Sequence, residues 1–329
     1  MIVLTHRPRL DGRLRARRRR RLPVRGPDSV AASLQRGLSE LGLPLELNPK
    51  RLSAGSGPVG VLSDVGALRS AIDWKRAAPG RRLVAGPNLV VLPSDAGRLI
   101  TSPEIDLVLV PSPWVRDLYE HEAPELSGRV AVWPAGVDSN YWAPAAGIKP
   151  SPYVGEMPRA LLYIKAIAGQ RNPSDEYLIQ TRAALTRAGF FCEEVEYGSY
   201  QAGDFLSALQ RADLMVAFSS SESQGLALLE AWSTNVPTYV CATGEAIIDD
   251  RKFDTSSAPF LSPETGAEFG TIVQFEELLE RFVRTAGEHF RPRSWVLKSM
   301  TDSHSAQRYW DLAHGAVAPE TTYSPEGLR

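Results

Sequence analysis

The chain has 329 residues, 43 % hydrophobic and 23 % charged, with two cysteines and a formal net charge of −1. That length exceeds one ordinary domain, and the apolar content supports a sizeable core in each of two. Cys192 and Cys241 give neither a disulfide framework nor a zinc spacing, and no apolar run approaches the roughly 18–20 residues of a membrane helix, so a cytoplasmic protein is expected.

Met1–Thr5 reads as a first strand. An arginine block follows it: residues 1–25 hold ten arginines against one acid, Asp11, with Arg17–Arg21 consecutive. Packed like charges repel, so the arm Arg13–Arg25 is expected to be exposed. It reads as a solvated loop, or as a surface for an acidic acceptor or an anionic membrane, which would place the protein peripherally at an inner membrane face. Nucleic acid is not an expected partner, because no aromatic interleaving or recognition motif accompanies the arginines.

Short apolar runs then alternate with helical patterns, the mark of βαβ units and parallel sheets. Asp28 or Ser29 can cap a helix through about Leu41 with Val30, Leu34 and Leu38 on one face. Val59–Leu62, Arg82–Ala85, Leu89–Leu92, Leu107–Pro111 and Arg129–Trp133 read as strands, Leu68–Arg76 and Trp114–His121 as helices. No Gly-x-Gly-x-x-Gly occurs there, so a dinucleotide cofactor is not indicated. Residues 143–158 are rich in proline and poor in large apolar side chains, which marks a linker.

The alternation restarts at Ala160–Ile164. Strands are expected at Phe191–Tyr197, Leu214–Phe218 and Thr238–Cys241. Helices are expected at Asp175–Ala188, Phe205–Arg211, Gln224–Ser233, Phe275–Thr285 and Ser305–Ala313. The tail after them is polar and proline-containing. The fold class is α/β: two Rossmann-like lobes with parallel sheets facing a central cleft, at the carboxyl ends of whose strands ligands bind.

The segment richest in chemistry runs from Phe218 to Pro237, FSSSESQGLALLEAWSTNVP. A strand ends, a polar loop follows, and a helix begins near Gln224. Free amides at a helix start suit a phosphate, and Gly225 lets a ligand approach closely. Glu222 precedes that helix, and Glu230 lies about two turns farther on. Carboxylates flanking an anion site suit hydroxyls on either side of it, one on a sugar and one on a ribose.

Glu222-x7-Glu230, with Gly225 and Leu226 inside and Asn235-x-Pro237 after, resembles the donor-site signature of retaining GT-B glycosyltransferases, closest to the family 4 or "group 1" enzymes. Val110-Pro-Ser-Pro-Trp114 and Trp133-Pro-Ala-Gly-Val-Asp138 resemble the end of that family's first lobe. Lys165 and Arg171 resemble its basic diphosphate ligands, and Tyr197-Gly198-Ser199-Tyr200 the turn near the nucleobase. Arg25-Gly26-Pro27-Asp28 resembles the glycine loop of the first lobe. Asn88, in Gly86-Pro87-Asn88, stands about where a histidine often approaches the sugar. The loop here is Glu222-Ser223-Gln224-Gly225 rather than the common Glu-Gly-Phe-Gly, and the lysine and arginine are in swapped order.

The resemblance implies a GT-B fold: an acceptor-side lobe over 1–148, a donor-side lobe over 149–303, and a C-terminal helix and tail over 304–329 returning to the first lobe. It implies transfer of a sugar from a nucleotide-diphosphate donor to a glycan, lipid-linked or small-molecule acceptor with retention. Lys165, Arg171 and the amides around Ser223, Gln224, Gly225 and Leu226 would neutralise the leaving diphosphate. Glu222 would hold sugar hydroxyls and Glu230 the ribose, with Tyr197, Gly198 and Tyr200 beside the donor, and Gly26, Pro27 and Asn88 serving from the first lobe. No cofactor and no metal are implied, since protein cations do that work. A nucleotide-sugar epimerase or hydrolase of the same fold, and a non-catalytic polyanion-binding protein, are the alternatives.

Overall fold

The computed structural model describes residues 1–6, 26–52, 57–145, 157–165, 175–242, 244–248 and 250–319. The arginine arm, Arg171 and residues 146–156 of the expected linker lie outside the described residues. The chain forms two units, Met1–Gly136 with Met300–Arg329 and Val137–Ser299. The first break thus comes earlier than the proline-rich stretch. Trp142 explains the shift: its carbonyl accepts from Ser233 Oγ at 2.6 Å and its ring meets Phe205 edge-on at 5.9 Å, which ties residues 137–145 into the second unit.

In the first unit come β1 (Ile2–Leu4), α1 (Gly26–Glu40), β2 (Glu46–Leu47), β3 (Val59–Ser63), α2 (Val65–Ala77) and β4 (Leu83–Asn88). They are followed by the short turn α3 (Asp95–Arg98), β5 (Leu107–Val110), α4 (Pro113–Glu122) and β6 (Val130–Val132). The strands form one parallel sheet in the order β2-β1-β3-β4-β5-β6. Runs such as Leu107-Val-Leu-Val110 are apolar at every position because both faces of the sheet are covered. Leu89–Leu92 is not a strand. The amides of Val91 and Leu92 donate to Asp95 Oδ2 at 3.1 and 2.9 Å, a local turn that replaces the ladder beyond Asn88.

A helix from the far end of the chain completes this unit. It is the last of the described helices, Asp302–His314, and it packs along α1. Gly37 allows the approach, since a Cβ there would stand 2.1 Å from the carbonyl oxygen of Asp302. Tyr309 is fully buried and meets Trp133 edge-on at 4.8 Å, while Trp133 Nε1 donates to the Ser305 carbonyl at 2.8 Å. Arg36 Nε reaches Asp302 Oδ2 at 2.6 Å. Truncating a fully buried Trp133 to alanine would cost about 3–5 kcal/mol.

The second unit contains β7 (Arg159–Lys165), α5 (Asp175–Arg187), β8 (Phe191–Glu196), α6 (Ala202–Arg211), β9 (Leu214–Ser219) and α7 (Leu226–Ser233). After them come β10 (Thr238–Cys241), β11 (Glu245–Ile248), β12 (Arg251–Asp254), β13 (Gly266–Phe269), α8 (Ile272–Thr285) and α9 (Pro292–Ser299), with the returning helix as α10. The parallel sheet runs β13-β10-β9-β7-β8, and β11 and β12 form a separate antiparallel hairpin. The hairpin, β13 and α9 carry no apolar period long enough to be read from sequence. Among the described residues no helix is long and apolar enough to cross a membrane.

Candidate functional site

β7 lies between β8 and β9, so the chain leaves it toward one side and returns on the other. Connections that part in this way open a crevice at the carboxyl ends of the strands. Five of the seven residues of β7 are buried and its last, Lys165, is half-buried at that end, in register with Ser219, the last residue of β9. The apolar run holds the strand in the core, and the polar residue emerges where the sheet stops.

Lys165 Nζ reaches Glu222 Oε2 at 2.8 Å, and the two side chains are only 15 % and 10 % exposed. Two charges this far from water hold each other, and removing either strands the other. The ammonium also lies 5.1 Å from the centroid of the exposed Tyr197 ring, a cation–π contact. The backbone of Glu222 is fixed by donation from its amide to the Ser256 carbonyl at 2.8 Å.

Three residues after Glu222, Gly225 caps α7 in the left-handed region at φ 82°, ψ 53°, which moves the helix start from the expected Gln224 to Leu226. The position favours glycine for its φ, and a Cβ would also sit 3.1 Å from Leu228 Cδ1. The amides of Leu228 and Leu229 donate to the Gly225 carbonyl, while those of Leu226 and Ala227 make no hydrogen bond among the described residues. Such free amides at the positive end of a helix dipole attract an anion.

Glu230 lies half-buried within α7, and loss of solvent around it pushes its pKa up to about 8. Nearby stand two tyrosines against a phenylalanine: Tyr200 stacks on Phe205 at 4.8 Å, and Tyr163 lies tilted 5.7 Å from Phe205 and edge-on 6.5 Å from Tyr200. Burial foremost raises the pKa of both hydroxyls, and the carboxyls of Glu222 and Glu230 add to the effect. The second unit therefore gathers one ammonium, two carboxyls, three phenols and two free amides around the end of its sheet.

Ser223 is exposed on the loop, Gln224 is buried, and Leu226 is half-buried at the first turn of α7. Gly198 occupies the turn between Tyr197 and Tyr200 at φ 85°. Gly26 and Pro27 open α1 and Asn88 ends β4, all three in the first unit. Asn88 Nδ2 is buried with no hydrogen-bond partner among the described residues. Two residues of this neighbourhood escaped sequence reading. Tyr163 sits mid-strand, where an aromatic reads as core. Ser256 reaches Glu222 from a segment with no motif of its own.

No protein-family model and no curated protein sequence matches the chain. Solved structures do. The lipopolysaccharide outer core galactosyltransferase WaaB is 12 % identical and aligns over 96 % of this chain and 100 % of its own, with a TM-score of 0.62. A glycosyltransferase from Rickettsia africae is 10 % identical over 95 % and 98 % of the two chains, with a TM-score of 0.65. WaaG, a glycosyltransferase involved in lipopolysaccharide biosynthesis, is 11 % identical over 96 % and 100 %, with a TM-score of 0.51. The likeness shows the fold: two Rossmann-like α/β units, each on a parallel sheet, in the GT-B architecture of these structures.

Proposed function

We propose that the protein is a glycosyltransferase that moves a sugar from a nucleoside-diphosphate donor to a glycan, lipid-linked or small-molecule acceptor. The observation that carries this reading is the convergence of Lys165, Glu222 and the free amides of α7 at the end of β7 and β9. An incoming diphosphate competes with Glu222 for the Lys165 ammonium. Its second source of positive potential is the start of α7, and Arg171 adds a third. Released from its ion pair, the Glu222 carboxylate accepts hydrogen bonds from sugar hydroxyls. Glu230 accepts from the ribose, whose hydroxyls replace the water it has lost.

In the transfer the bond from the anomeric carbon to the diphosphate oxygen breaks, and the acceptor oxygen bonds on the same face of the sugar. The acceptor proton passes to the departing phosphate oxygen, so retention needs no separate base. Charge developing on the diphosphate is met by Lys165, Arg171 and the amides of α7, which favours the transition state over the bound donor without a metal. The lipopolysaccharide enzymes among the structural neighbours support a glycan acceptor. An acidic or membrane-linked one suits the Arg13–Arg25 arm, whose attraction acts over a screening length of about 8 Å at physiological ionic strength.

The test is a thermal-shift screen of UDP, GDP, ADP, TDP and CMP, followed by donor hydrolysis with the best ligand. One nucleoside diphosphate is expected to stabilise the protein, and its sugar ester to be consumed. No stabilisation by any of them would refute the reading. Glu222→Ala is expected to lower transfer while leaving nucleoside-diphosphate affinity unchanged or tighter, because Lys165 is then unopposed.

A further inference from the structure

At the opposite end of the second unit's sheet lies a cavity of about 460 Å³. Its lining includes Tyr239 near the start of β10, Gly266 at the start of β13, and Leu278 and Arg281 on α8. Strands β10 and β13 are parallel to β7 and β9, so this cavity is at their amino ends and Lys165 at the carboxyl ends. Its volume is that of a small-molecule site.

The chemistry of the lining is specific. Leu278 and the buried Tyr239 and Phe290 make an apolar body, and the Tyr239 hydroxyl is already committed to the Leu278 carbonyl at 3.0 Å. Arg281 and His289 bring the basic groups, and Arg281 makes no ion pair among the described residues. The His289 pKa is lowered by burial first and then by the positive charges of Arg281 and Arg291, which favours a neutral ring that can donate a hydrogen bond beside the Arg281 guanidinium. Glu268 is the single acid of the lining.

One segment joins the cavity to the end of the sheet that carries Lys165. Ala258, Leu261 and Ser262 line the cavity, and two residues before Ala258 the carbonyl of Ser256 accepts the Glu222 amide at 2.8 Å. The Ala258 amide in turn donates to Ser256 Oγ at 3.1 Å. A shift of residues 258–262 therefore pulls on the backbone of the residue that neutralises Lys165.

We propose that this cavity binds a small organic anion, its phosphate or carboxylate head on Arg281 and His289 and its apolar body on Phe290 and Leu278, and that residues 256–262 relay its presence to Glu222. The binding half stands independently, and the relay rests on Glu222 belonging to the donor site.

Phenyl phosphate is the probe, with inorganic phosphate and benzoate separating head from body. Calorimetry on the full chain is run in the presence of the best nucleoside diphosphate at saturation, so that the donor site is filled. Arg281 is exposed, so Arg281→Glu is expected to fold normally and to weaken phenyl phosphate about tenfold or more by reversing the charge at the anionic head. Glu268→Gln is expected to tighten it by removing the single acid. Benzoate bound as well as phenyl phosphate assigns a carboxylate, and inorganic phosphate bound equally removes the apolar body from the proposal. Binding indifferent to Arg281→Glu, or no binding in wild type, overturns the site. The relay is read as a change of about threefold or more in nucleoside-diphosphate affinity with saturating phenyl phosphate, abolished by Arg281→Glu. An unchanged affinity overturns the relay. If no nucleotide binds at all, the donor reading fails while the Arg281-dependent titration still decides the site.

Discussion

The carboxyl edges of the two sheets differ in charge. In the second unit that edge carries a lysine and a glutamate in a half-sequestered pair, with free amides behind them. In the first it carries Thr5, Ser63, Asn88 and Ser112, all neutral, while the adjacent Asp64 is committed to capping α2 through the Ala67 amide at 3.0 Å. Ser63 donates to the Thr5 carbonyl at 2.9 Å, and Asn48 exchanges hydrogen bonds with Thr5 at 2.8 and 2.9 Å. Asn88 Nδ2 and Ser112 Oγ are buried and unpartnered among the described residues, at the ends of neighbouring strands. Similar strand orders have thus been finished differently. One edge presents a charged pair and free amides, the other neutral hydrogen-bonding side chains.

The comparison breaks most sharply at Lys165. Lys165→Ala leaves Glu222 buried without its partner and removes the cation from the diphosphate, so donor turnover is expected to fall by about 100- to 1,000-fold. Steady-state transfer assays read this, and a near-normal rate would remove the charged edge from the chemistry. Glu230→Ala comes next, weakening nucleoside-diphosphate binding by about 1–3 kcal/mol in calorimetry.

Glu230 also separates the edges by pH. Its pKa in the folded protein is raised to about 8 from a usual value near 4.5, so the native state holds a proton that the unfolded chain releases between those values. The contribution of this group to stability is then fullest below pH 4.5 and declines as pH rises toward 8, by an amount on the order of 5 kcal/mol. Melting curves of Glu230→Gln are expected to lose that decline; an identical slope in both proteins excludes the shift. The smallest effects belong to the neutral edge. Ser112→Ala removes an unpaired buried hydroxyl and is expected to leave stability unchanged or raise it by up to about 1 kcal/mol. Asn88→Ala is expected to raise acceptor KM with nucleoside-diphosphate affinity intact, and a loss of nucleotide affinity would contradict the division between edges.

The parts legible in the sequence were those with a one-dimensional signature. The interiors of β5, β7 and β9 are almost wholly buried because both faces of each sheet are covered, which made these strands visible as apolar runs, while Lys165 was singled out by its likeness to a basic diphosphate ligand. Glu222 and Glu230 were singled out by their spacing around Gly225, and the structure sets Glu222 2.8 Å from Lys165. The start of α7 was misplaced by two residues, because the left-handed Gly225 is a property of backbone geometry rather than of helix propensity. β13 escaped since Gly266-Ala-Glu-Phe269 has a single large apolar residue and exists by pairing with β10. Tyr163 and Ser256 depend on contacts distant in sequence, which no local pattern encodes.

The position of α10 has a consequence for synthesis. Its partners, α1 and Trp133, leave the ribosome well over a hundred residues before it does. The second unit, Val137–Ser299, is therefore complete while the first still exposes Leu34, Leu38 and Trp133, the apolar surface that Tyr309 and Leu312 later cover. A nascent chain lacking everything from residue 302 onward would carry a finished second unit and an unfinished, aggregation-prone first one, the reverse of the usual order in which the amino-terminal part folds first.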